Sequence, residues 1–556
     1  MHASRTVSMS KISKMPASDG DVMTAVNTAL ANGDTARAVQ LARSAVTQGV
    51  EDPLLLNLTA YGLELEGRLI EAMGLLERAF RVAPSDPTIL NALGRNHSKQ
   101  GQPVEALRAF DAAIAALPSY APAHNGRGLA LEMLGDADGA WASQQTAARL
   151  EPQYPDPPGA LAALALQRQD WQAARQHGER ALALDPHQSA ATLSLATLDQ
   201  REGDYAAVIA RLQRLLQRGG LAPLHEASAQ RLLADALDAE GRAGEAFPAY
   251  AAANRLLRLA HQASFGRDGV EGGVALTERL GAYFAAAPAS AWKGAPGAAG
   301  EGGEVAGHVF LVGFPRSGTT LLEQVLASHP DIVALEERAT LGDVGAFFFE
   351  NAELDRLSKL KKADAERLRA EYWARVRENG VDPKGKVFVD KLPLTTLWLP
   401  YVAKLFPKAK VLFARRDPRD VVLSCFRRRF MVNGALYAFT ELDELARFYA
   451  GTMGLAEVYR EKLPLAWQVH RHEDLIEDFD KEAQSICAFL DVEWDAAMRD
   501  FAETAKRRDV RTPSASQVRR GLYREGMGQW RAYAEGMAPV LPTLEPWVER
   551  FGYPKA

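Results

Sequence analysis

From Gly313 to Thr320 the chain reads GFPRSGTT, a Gly-x-x-x-x-Gly-Thr-Thr spacing. It follows the short apolar run HVFLVG and opens TTLLEQVLASHP, which has helical spacing. In that context successive backbone N–H groups and a helix N-terminus favour an anion without any side chain. Nucleoside triphosphatases add a loop lysine at the β- and γ-phosphates and use the next Ser or Thr to hold magnesium. Here Thr319 stands at the lysine's place, which weakens the case for ATP or GTP hydrolysis. Arg316 is the cation the loop retains, set to face the far end of a diphosphate-like group. The plainer alternative is an ordinary strand-to-helix turn, for which PRSGTT is elaborate.

A second anion anchor is ARRDPRDVVLSCFRRRF, residues 414–430. Asp417 is placed as an N-cap with Pro418 at the first helical position. The spacing predicts Ser424 and Arg428, four apart, on one helix face. Arg416 lies just before that helix, so Arg416 and Ser424 make an anion site separate in sequence from the first. Arg427 and Arg429 are expected to be solvated. Two such sites on one sheet suit a nucleotide carrying phosphates at two ends.

The elements that must position these residues alternate. HVFLVG, KVFVD (386–390), KVLFAR (410–415) and PLAWQVHRHEDL read as strands separated by helical stretches. That pattern predicts a parallel, doubly wound sheet whose ligands bind beyond the strands' carboxyl ends. The first half carries a 34-residue period instead: Gly33, Gly67, Gly101 and Gly135; Ala38, Ala72, Ala106, Ala140 and Ala174; Pro84, Pro118, Pro152 and Pro186. Glycine ends one helix, alanine lets the next approach closely, and proline stops it. These units resemble the tetratricopeptide repeat over roughly residues 20–260, with 233–257 as the last. Residues 261–307 then form a connecting helix and a Gly/Ala-rich linker, and 308–556 the α/β domain with its P-loop-like turn. Such a solenoid binds a protein or peptide, or it dimerises the chain or scaffolds the second half; both uses stay open.

Composition narrows the classes. Of 556 residues, 47% are hydrophobic and 24% charged, with a net charge of −5, which gives no general reason to expect nucleic acid or an anionic membrane as partner. Cys425 and Cys487 are far from metal-ligand spacing. The polar, Ser-rich start is not a secretory signal and no run reaches membrane-span length, so a cytoplasmic protein is expected.

FPRSGTTLLEQVLASHPDI, DKLP and ARRDPRDVVLSCF together resemble the sulfotransferases that use 3′-phosphoadenosine 5′-phosphosulfate. The nearest likeness is to the protein-tyrosine branch and to bacterial proteins joining tetratricopeptide repeats to such a domain. The resemblance implies that Arg316, Ser317, Gly318, Thr319 and Thr320 hold the 5′-phosphosulfate, and that Arg416, Ser424 and Arg428 hold the 3′-phosphate. It implies that Lys391 stabilises charge on the transferring sulfate and that Glu337 is the general base, with Glu336 as its confounder. Ser514 matches a serine near the sulfate; Arg519 and Arg520 match contacts to the 3′-phosphate or adenine, a basic surface loop being the alternative. His472 replaces a tyrosine of that branch near the nucleotide, and Gln529 a lysine before Trp530. The product implied is adenosine 3′,5′-bisphosphate, and the family needs no metal. The acceptor is a hydroxyl on a protein tyrosine, carbohydrate, lipid or small phenol. The competing classes are a P-loop kinase or NTPase, which the missing lysine disfavours, and a catalytically inactive repeat scaffold.

Overall fold

The computed structural model describes residues 19–295, 305–508, 521–522, 524 and 526–555. It divides into two compact units, residues 1–221 and 222–556. Among the described residues, no helix is long and apolar enough to cross a membrane.

The described residues of the first unit form six helical hairpins, and the period is visible in the starts of first helices: Pro53–Leu65, Pro87–Lys99, Ala121–Met133, Asp156–Gln167 and Ser189–Glu202. All five ladder alanines are fully buried. Gly33, Gly67, Gly101 and Gly135 sit at φ between 72° and 83°. The turn geometry continues where the glycine does not: Gln169 takes φ 58° and Gly203 φ 83°, each 34 residues on. Where the following residue is aspartate it caps the second helix of its hairpin, as Asp136 does at Gly139 N and Asp170 at Ala173 N. Phe110 fills the seam between hairpins; a Cβ on Gly94 or Gly126 would lie 2.7 or 2.3 Å from its ring.

The second unit begins earlier than residue 260, the limit expected from the repeats. The hairpin Pro223–Ala239 and Ala243–Phe265 keeps the repeat spacing but packs with the sheet domain. Its polar side chains are used there: Asn254 Nδ2 donates to Phe426 O at 2.9 Å, and Arg231 Nη1 to Arg427 O at 2.6 Å. Gly273–Ala286 is also helical, within the stretch expected as connection.

Among the described residues the sheet has five parallel strands in the order β2-β3-β1-β4-β5: β1 Gly307–Gly313, β2 Ile332–Glu336, β3 Val387–Lys391, β4 Lys410–Arg415 and β5 Ala466–Arg471. β2, IVALE, is an addition to the four strands read from the sequence. Val309 and Leu311 face a core formed with Leu322, Val325, Leu475 and Ile486. On the other face His308 and Phe310 join Tyr372, Trp373, Phe388 and Phe406. Covered on both faces, the sheet leaves its carboxyl edge for polar chemistry. There Gly313 pairs with Ala414, Lys391 with both Leu311 and Glu336, and Arg415 with Arg471.

Candidate active site

The loop between β1 and the helix Thr319–Ala327 is built from backbone conformations that few residues adopt. Gly313 has φ 154°, and a Cβ there would lie 2.3 Å from Ala414 O. Gly318, the N-cap, has φ 92°, and its Cβ would meet His472 Nδ1 at 2.4 Å. Arg316 holds φ 71° with a side chain, a strained state that persists only where the surroundings impose it. Those surroundings include Thr396, whose hydroxyl donates to Gly313 O at 2.8 Å and accepts from Gly313 N at 3.0 Å. Ser317, Thr319 and Thr320 are buried in the turn. His472, at the end of β5, is buried against Gly318; desolvation, with Arg416, His470 and Arg316 nearby, pushes its pKa well below the usual value, so the ring is neutral.

The two anion motifs meet in space. Arg316 Nε donates to Ser424 Oγ at 2.9 Å, and Arg416 Nη1 donates to Arg316 O at 3.3 Å. Arg416 also bonds Gly526 O, while its buried Nε has no hydrogen-bond partner among the described residues. Two expectations are corrected here. The helix Pro418–Arg427 stops before Arg428, which is extended at φ −104° and ψ 145°, so Ser424 and Arg428 do not share a helical face. The cause is the cap: Asn254 and Arg231 take the terminal carbonyls of Phe426 and Arg427. Arg427 is not solvated but buried, paired with Asp238 and 5.0 Å from the Tyr533 ring centroid. Arg429 is exposed as expected.

At the β2–β3 ends, Lys391 Nζ donates to Glu337 Oε1 at 2.7 Å and lies 3.3 Å from Glu323 Oε2. Lys391 and Glu323 are fully buried, whereas the Glu337 side chain is 36% exposed. Glu337 leaves the strand at φ 31°, its N–H bonded to Lys391 O at 2.8 Å. Between the neighbouring acids, Glu337 therefore holds the Lys391 hydrogen bond, while Glu336 ends β2 beside Lys391. Ser514, Arg519 and Arg520 lie outside the described residues.

Several side chains at this edge were not among the sequence candidates. Glu323, in TTLLEQVLA, lies on a helix buried nearly all round, and as the lone carboxylate of that helix it was the available signal. Asp420 accepts from Gly528 N at 2.6 Å and Trp530 N at 2.9 Å, fixing the late segment on the Ser424 helix. Arg419 is buried, paired with Asp417 at 2.7 Å and 4.2 Å from the Trp530 ring centroid. Nothing in the local sequence distinguishes it from the exposed Arg429.

The fold is thus a parallel-sheet domain with a glycine-turned strand-to-helix loop at its central strand, preceded by helical repeats. Residues 308–496 match the family model described as Sulfotransferase family, and residues 91–155 that of the tetratricopeptide repeat. An uncharacterized protein of Aquifex aeolicus is 29% identical over 252 residues, 43% of this chain and 32% of that one. A protein-tyrosine sulfotransferase of Drosophila melanogaster is 25% identical over 265 residues, 42% of this chain and 50% of that one. The chain thus spans about a third and a half of these relatives' lengths. A tetratricopeptide repeat protein from Parabacteroides merdae aligns with 43% of this chain and 92% of its own, at 17% identity and a TM-score of 0.33. These matches agree with the recognition drawn from the motifs: a helical repeat region, then a parallel-sheet domain similar to the sulfotransferases.

Proposed function

We propose that this protein is a sulfotransferase that moves the sulfuryl group of 3′-phosphoadenosine 5′-phosphosulfate to an acceptor hydroxyl. The observation that carries the reading is the convergence of Arg316, Ser424 and Arg416 on one loop, beside a Lys391–Glu337 pair. The residues present fit such a donor: the loop offers backbone N–H groups at a helix start, and Arg416 Nε is buried with a donor to spare. When bound, the donor supplies an activated sulfuryl group on a phosphate oxygen. The loop amides and Ser317, Gly318, Thr319 and Thr320 hold the 5′ end, and Arg416, Ser424 and Arg428 hold the 3′-phosphate. Arg316 and Lys391 offset negative charge that develops at the sulfate and leaving oxygen. Glu337, half in solvent, takes the proton of the attacking hydroxyl. Neutral His472 packs against Gly318, and by the resemblance Ser514 contacts the sulfate and Arg519 and Arg520 the 3′-phosphate or adenine. The repeats hold a protein or peptide, with self-association as the alternative, and the chain works in the cytoplasm.

Titration calorimetry with adenosine 3′,5′-bisphosphate against ATP plus magnesium tests the reading. Binding of the bisphosphate in preference is expected; preference for ATP sinks the proposal. Glu337→Gln should lower transfer by roughly 10²–10⁴-fold, the range of general-base contributions, with bisphosphate affinity nearly unchanged. Equal loss of both would make Glu337 structural. Protein tyrosine is the first acceptor to assay, followed by carbohydrate and phenolic hydroxyls.

A further inference from the structure

Lys391 is held between two carboxylates of different standing. Glu337 comes from the end of β2 and is partly in solvent, and Glu323 comes from the loop helix and is fully buried. Glu323 in turn accepts from Arg508 Nη1 at 3.1 Å through Oε1, leaving Oε2 toward Lys391 at 3.3 Å. Arg508 is itself fixed, donating to Gln324 Oε1 at 3.3 Å and Ala334 O at 2.6 Å. Cation and anion thus alternate through Arg508, Glu323, Lys391 and Glu337. Glu336 is the further charge close enough to act on Glu323. Burial raises the Glu323 pKa, and Lys391 and Arg508 oppose that rise.

The chemistry makes this arrangement necessary. Resting on the sulfuryl-transfer reading, Glu337 gains the acceptor's proton while the acceptor oxygen bonds to sulfur and the bond from sulfur to the phosphate oxygen breaks. At that moment Glu337 loses its charge and its hold on Lys391. A fully buried ammonium left without a carboxylate is driven to lose its proton. We propose that Glu323 is the standing counter-ion of Lys391, a positioning residue that keeps the ammonium charged and aimed while Glu337 exchanges a proton. Arg508 holds Glu323 in that orientation from the far side.

A double-mutant cycle in the full chain tests this without relying on activity. With Glu323→Gln, Glu337→Gln and the double variant, thermal midpoints at pH 7 should be non-additive. The Glu337 variant stays within about 3 °C of wild type, while the double variant falls at least ~5 °C further than the two single losses together. An additive cycle overturns the proposal. Should Glu323→Gln not fold, adding Lys391→Met must restore folding, since the charges then left without a partner, Arg508 and Glu337, both reach solvent; failure to restore it also overturns the pairing. In transfer assays Glu323→Gln should lower kcat at least ~10-fold, as Lys391 then ties up Glu337, with bisphosphate affinity within about threefold. Unchanged kcat counts against the proposal. Wild-type protein that does not bind the bisphosphate would refute the sulfotransferase reading while leaving the stability cycle interpretable.

Discussion

Adjacent residues of β3 meet opposite faces of the sheet and very different surroundings. Lys391 turns to the loop helix, while Asp390 is buried among hydroxyls, accepting from Thr340 at 2.6 Å and from Tyr372 at 2.8 Å. Tyr372 is bonded in turn to His308 at 2.8 Å, whose pKa burial lowers to about 3. Desolvation raises the Asp390 pKa from 3.8 to about 6, against the two hydroxyl bonds. A carboxyl whose folded pKa is raised binds its proton more tightly in the folded chain. Wild type therefore gains stability from this group as pH falls from about 6 to about 4, by roughly 3 kcal/mol at ~1.4 kcal/mol per unit. Asparagine does not titrate. The stability difference between wild type and Asp390→Asn, from urea midpoints, should shift toward wild type by that order between pH 7 and pH 4. A flat difference would mean that Asp390 is not the titrating group. Thr340 is three residues beyond Glu337, so this buried bond also steadies the segment that carries Glu337. The sequence pointed to Lys391 and Glu337 through their motifs, whereas Asp390 and Glu323 acquire their character only from burial.

The elements obey their local signals until a tertiary contact intervenes. In the repeats, the left-handed turn is imposed by the 34-residue geometry even on Gln169, at φ 58°. A side chain in that conformation is strained, so Gln169→Gly is expected to stabilise the chain by ~0.5–1 kcal/mol, read from the denaturant midpoint. Loss of stability would show that the glutamine side chain contributes more than its backbone costs. The Pro418–Arg427 helix shows the opposite case. Asp417 and Pro418 fix its start as the sequence predicts, with Asp417 accepting from Arg419 N at 3.0 Å. Its end is set by Arg231 and Asn254, nearly two hundred residues away in sequence, which no local pattern near Arg427 announces.

At the scale of the molecule, those same contacts decide which part of the chain makes the site. The hairpin 223–265 looks like a seventh repeat, yet it caps the helix that carries Ser424 and pairs Asp238 with the buried Arg427. A chain beginning at Ala222 should bind adenosine 3′,5′-bisphosphate within about threefold of the full protein. One beginning at residue 261 should lose binding, because each buried carbonyl or charge left unpartnered costs ~1–3 kcal/mol. Equal binding by both fragments would show that the hairpin is dispensable. The sequence by itself determined the repeat period, the parallel α/β class and the two motifs that carry the sulfotransferase resemblance, because these follow from periodicity and from residue types at fixed local spacing. Only the tertiary structure decided that β2 completes the sheet, that the last hairpin belongs with the second unit, and that Arg316 and Ser424 touch. It also assigned Glu323 to Lys391. These depend on burial and on side chains brought together from distant segments, and neither is encoded in local spacing.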